Sequence, residues 1–232
     1  METKINEIKR AQSVYVLIAI LVFGSIWGLS EVVLSGAIKA AGLPFRAGIL
    51  TGVGMGILGL SLGILRKSSI LIGIALMAIF CKQLVVPILH VSIMCKANSC
   101  LAVMLEGLAL FGVVSLAGRK LENGHLPRIA SGASAAILAA IAFYFIGMSV
   151  TPCPFLRSFN RPGGFVAFLT VEGLVWAFFS AIFFPIGYWL GTRFRNTVLT
   201  LQTRKPLFYY TTASLIVVCC WAVSAFTIAT GL

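Results

Sequence analysis

The sequence predicts an all-α protein that crosses a membrane several times, and three observations predict it. Of its 232 residues, 59% are hydrophobic and only 10% charged, where a soluble domain carries about a quarter charged. The apolar residues gather into long runs, giving a mean hydropathy of +1.04, and about 20 such residues span a bilayer as a helix. The basic residues sit at the ends of those runs. That placement assigns the net charge of +12 to helix orientation and argues against a nucleic-acid partner. A single transmembrane domain is expected over 1–232, with the lipid bilayer as its surroundings.

Seven runs qualify, at about 13–38, 47–65, 69–93, 99–118, 129–149, 165–191 and 207–230. The count is six if the first or last run lies partly in the interface. The first run follows Lys4, Lys9 and Arg10 as a signal peptide would. It is too long for one and lacks a small-residue cleavage site after a short apolar core, so it reads as a retained span. It contains Gly24 and Gly28, a small-xxx-small pair. The second run places Gly48, Gly52 and Gly56 four apart, a row that lets another helix approach closely. Gly54, Gly56 and Gly59 also match a dinucleotide fingerprint, but that motif has meaning only between a strand and a helix.

The third run holds Cys81, Lys82 and Gln83 near its middle, then Pro87, which predicts a kink, and His90 towards its end. The loop 119–128 reads as a polar hairpin turning at Asn123-Gly124. The longer loop 151–163 carries Cys153, and its Phe155 and Phe159 suit either a lid over a pocket or a simple interfacial re-entry. The segment 192–206 is basic and suits an anionic leaflet or a partner. Cys219 and Cys220, in the last run, read as packing residues.

Orientation follows from the Lys and Arg count. With the N-terminus inside, twelve fall on the inner side and five (Lys39, Arg46, Lys96, Arg157 and Arg161) on the outer side. The positive-inside rule therefore predicts an inner N-terminus, in the cell membrane.

Three glutamates lie inside runs, where ionisable groups are costly and mark functional sites. Glu106 and Glu172 each follow the start of an inward run by seven residues, and Glu31 precedes the end of an outward run by seven. At 1.5 Å per residue all three lie about 10 Å below the outer edge. Trp27 and Trp176 are each four residues from a glutamate, on the same helix face and one turn further inward. Lys82 lies slightly deeper. An acidic pocket with an indole floor suits an amine or a cationic ring, so Glu31, Glu106, Glu172, Trp27, Trp176 and Lys82 are the candidate substrate-binding residues. The competing roles are helix-to-helix ties and carboxyls carried in their neutral form.

Glu, His and Cys near the outer face also offer a metal site, with His90, Cys95, Cys100 and Cys153 as candidates. The C-x4-C spacing of Cys95 and Cys100 is unlike the close pairs of zinc sites. In an oxidising exterior those two are expected within disulfide reach, with a bridge to Cys153 as the alternative. No P-loop, H-E-x-x-H, G-x-S-x-G or C-x-x-C is present, which argues against an enzyme, and no cofactor is expected.

By size, basic charge and helical layout the chain resembles the substrate-binding S components of energy-coupling factor transporters. The resemblance implies a pocket towards the outer face and docking to a coupling membrane subunit and two ATPases through small residues of the first helix. Gly24 and Gly28 are the row available for that contact. The expected function is a transporter, or its substrate-binding subunit, for a small cationic or amine-bearing, vitamin-like solute. The alternatives are an accessory or anchoring subunit of a larger membrane complex, a metal-ion transporter and a thiol-dependent redox protein.

Overall fold

The structure is a computed structural model that describes the backbone of residues 2–151 and 153–231, and their side chains except those of 2–12, Cys95 and Arg119. Its helices are α1 (Glu2–Ala40), α2 (Arg46–Leu65), α3 (Ile70–Lys82), α4 (Val85–Leu89), α5 (Ala97–Ala117), α6 (His125–Val150), α7 (Pro154–Arg157), α8 (Gly164–Phe168), α9 (Leu174–Arg204) and α10 (Pro206–Thr230). A 3-10 turn, Ile93–Lys96, precedes α5, and another, Gly118–Glu122, follows it. A π turn, Leu169–Gly173, joins α8 to α9.

Among the described residues, seven helical stretches are long and apolar enough to cross a membrane: Ser13–Ala40, Arg46–Leu65, Ile70–Leu89, Ala97–Ala117, His125–Val150, Gly164–Arg204 and Pro206–Thr230. The protein is an all-α, multi-pass membrane protein. Large apolar side chains on its outside, such as Phe80, Leu116, Phe178 and Phe226, are the surface a bilayer covers.

Two spans differ from their expected outlines, each for a local reason. The third is broken at Gln83–Leu84, four residues before Pro87. Proline cannot donate to the carbonyl of residue i−4, and its ring clashes there, so the disruption falls at Gln83. The chain bridges the gap with a shorter Val86 N–H bond to the Gln83 carbonyl (3.0 Å). The sixth span continues to Arg204, so the basic segment 192–204 is helical. Nothing in it breaks a helix until Pro206 restricts Lys205, which takes φ −136°.

Glycine sets how closely the spans pack. Side chains built on Gly48, Gly52 and Gly56 would meet Val175, Phe179 and Phe183 in turn, and those on Gly59 and Gly63 would meet the backbone at Phe184 and Tyr188. Both series advance together, so α2 and α9 run parallel along one glycine seam. The dinucleotide-like glycines therefore serve packing, with Gly54 against the Trp27 indole. Gly24 and Gly28 receive Met77 and Cys81 of α3 in the same way. The row expected to dock a coupling subunit is thus occupied by the chain's own third span.

The last helix, α10, is tied to the bundle by side-chain hydrogen bonds. Trp221 Nε1 donates to Ser25 Oγ at 3.0 Å, and Cys81 Sγ pairs with Ser224 Oγ at 3.4 Å. At the end where α2 finishes, Arg66 and Glu122 form an ion pair. The loop 151–163 does not hang free. Its Leu156 is fully buried, and Phe159 stacks edge-on against Phe168 at 5.4 Å, closing the end of α6 and α8.

Candidate functional site

The ends of α1 and α10, the starts of α2 and α5, and the broken third span meet at one end of the bundle. There they enclose a cavity of about 600 Å³. Glu31, on the last turns of α1, and Lys82, the final residue of α3, lie within it. Both are buried, and Lys82 Nζ donates to Glu31 Oε2 at 2.5 Å. Lys82 Nζ also donates to Ser99 Oγ, on the first turn of α5. The break after Lys82 ends the helix beside the cavity, so one ammonium reaches two neighbouring helices. Lys82 is therefore paired with an intramembrane carboxylate, that of Glu31.

Glu106 is buried behind this pair. Thr51 Oγ1 of α2 donates to its Oε1 at 2.9 Å, and Oε2 has no hydrogen-bond partner among the described residues. Glu106 interacts electrostatically with both Glu31 and Lys82, but it does not line the cavity. Trp27 lies one turn inward of Glu31, as the four-residue offset predicts. Its indole is wholly buried and packed on Gly54 rather than facing the cavity.

Glu172 stands apart from these groups. It lies on the π turn, a helical irregularity frequent at functional sites, and is half-buried. Its carboxyl lies towards the Trp176 indole one turn further on, outside hydrogen-bond geometry. Trp176 itself is buried and stacks on Phe143 of α6 at 5.8 Å. Of the six expected binding residues, then, Glu31 and Lys82 line the cavity, while Glu106 and Trp27 lie behind it. Glu172 and Trp176 sit against α6.

The cavity's other three cations are ones the sequence placed in loops without connecting them to a site. Lys39, Arg46 and Lys96 line it with Ser35 and Ser99, and Arg46 donates to Ser35 Oγ. The signal for them was their shared side of the membrane: each lies at the same end as Glu31.

No cluster of three or more His, Cys, Asp or Glu side chains gathers among the described residues. His90 is exposed on the turn after α4, with φ 50°. Cys100 and Cys153 are free thiols, and the Cys100 sulfur accepts a hydrogen bond from Gln83 Nε2. The side chain of Cys95 lies outside the described residues. The chain matches no protein-family model, no curated protein and no solved structure.

Proposed function

We propose that this membrane protein binds a small solute in the cavity beside Glu31 and Lys82, acting as a transporter or as the substrate-binding subunit of one. The observation that carries the reading is the buried ion pair opening onto a cavity of about 600 Å³. Intramembrane charges of this kind mark solute and ion pathways, and the volume falls in the usual range for small-molecule sites, about 300–1,000 Å³. An energy-coupling factor S component is one form of this reading. In that form the coupling subunit docks away from Gly24 and Gly28, which α3 covers.

Native mass spectrometry of the gently purified protein tests the reading. A small molecule retained by the parent and lost from K82M is the expected result. An empty spectrum for both proteins, with no added solute binding, refutes it.

The cavity faces outward in this reading, with the N-terminus inside the cell membrane. Single cysteines introduced at Gly124 and Ser158 in a background without other cysteines check this from intact cells. Position 158 is expected to react with an impermeant maleimide and position 124 to remain protected. The reverse pattern inverts the protein and turns the cavity to the cytoplasm.

A further inference from the structure

Resting on the solute-binding reading above, we infer that the cavity takes a small organic anion, with Arg46, Lys39 and Lys96 holding its charged group and the apolar wall holding its body. The charge balance of the lining carries this. Four basic residues, Lys39, Arg46, Lys82 and Lys96, face one acidic residue, Glu31. Glu31 is already engaged by Lys82. The ion pairs among the described residues are Lys82–Glu31 and Arg66–Glu122, so Lys39, Arg46 and Lys96 have no carboxylate partner among the described residues. An amine entering here would find its one carboxylate occupied and three cations around it.

No other acidic side chain among the described residues at this end reverses that field. The chain has six acidic residues: Glu2, Glu7, Glu31, Glu106, Glu122 and Glu172. Glu2 and Glu7 lie at the far end of α1, and Glu122 pairs with Arg66 at the end opposite the cavity. Glu106 and Glu172 do not line the cavity. Arg157 and Arg161 add two exposed cations in the loop 151–163. A cleft with walls of one sign and low dielectric focuses the field and draws in the opposite charge.

The walls define the rest of the ligand. Val32, Val85, Leu89 and Ile228 supply an apolar side, which an inorganic anion would leave unused. Ser35 and Ser99 add hydroxyls that can donate to a carboxylate or phosphate oxygen. Arg46 presents the planar fork that suits such a group, and Lys39 and Lys96 act as point charges. At the base, Lys82 is shared between Glu31 and Ser99. An anion reaching that depth competes with Glu31 for the ammonium.

The test uses the full chain in phosphatidylcholine nanodiscs with two probes of equal shape and opposite charge, 2-naphthoate and 2-naphthylmethylamine. Calorimetric titration is expected to show binding of the naphthoate alone. R46Q should weaken it about tenfold, as loss of a charge-assisted hydrogen-bond pair does. K39Q and K96Q should each weaken it by up to about fivefold, the range of exposed charge pairs. All three side chains are exposed, so these variants should keep the parent melting temperature.

Binding of the amine in preference to the naphthoate overturns the anion and leaves the solute-binding reading standing. If neither probe binds, the charge of any molecule retained in native mass spectrometry decides: an anion lost from R46Q supports the inference, and a cation overturns it. Retention of phosphatidylglycerol from mixed nanodiscs, reduced in R46Q and without naphthoate binding, makes the occupant a lipid headgroup and overturns the free solute. If nothing is bound or retained, the solute-binding reading falls, and the anion with it.

Discussion

Glu31→Gln and Lys82→Met are each expected to destabilise the folded protein by about 3–5 kcal/mol, the usual result of stranding one charge of a buried pair. Lys82 and Glu31 are both buried, and their atoms meet at 2.5 Å. E31Q leaves the ammonium with the Ser99 hydroxyl alone, and K82M leaves a carboxylate with no cation. The double variant E31Q/K82M should recover most of the loss, since a neutral pair of similar volume often replaces a buried ion pair without penalty. Denaturant or thermal unfolding in one detergent measures all four proteins. Single variants within about 1 kcal/mol of the parent, the size of an exposed pair, would mean that water in the cavity solvates both charges.

Gly187→Val is expected to produce the next largest loss, about 3 kcal/mol or more. Overpacking a well-filled core typically costs 1–3 kcal/mol, and here the obstacle is backbone. A Cβ on Gly187 falls on the carbonyl oxygen of Gly56, across the seam between α9 and α2. Neither helix of that seam can yield there by rotating a side chain. Gly112→Val supplies the control, because a Cβ there meets nothing within 4 Å. Unfolding of the two variants side by side separates clash from helix propensity. Equal melting temperatures would show that the seam opens to admit a side chain.

The architecture was largely legible because membrane spans are written in composition. Seven apolar runs became seven spans, and the row Gly48, Gly52 and Gly56 became a packing seam. What was missed is rotational. Equal depth put Glu31, Glu106 and Glu172 on one level, yet depth says nothing of the direction a helix faces. Glu31 turned to Lys82, Glu106 to Thr51 and Glu172 to the neighbourhood of Trp176. Hydropathy also cannot distinguish a glycine row that awaits another protein from one filled within the chain, and Met77 and Cys81 fill the row at Gly24 and Gly28. Charge counting treated Lys39, Arg46 and Lys96 only as orientation signals, although the fold brings all three to the rim of one cavity.

The π turn at Leu169–Gly173 has a consequence for descent. Such a turn bonds i to i+5 and therefore holds one residue more than the α-helix on either side, which is the mark a single-codon insertion leaves in a helix. Deleting one codon there would restore a regular α-helix. It would also rotate everything before the turn by roughly 100°, one residue's share of an α-helical turn. Phe168, now wholly buried against Tyr144 and Phe159, would swing out of its aromatic cluster, while Trp176 beyond the turn kept its place. The extra residue lets one helix satisfy two different facings, so relatives of this chain should keep or lose the insertion together with the aromatic cluster.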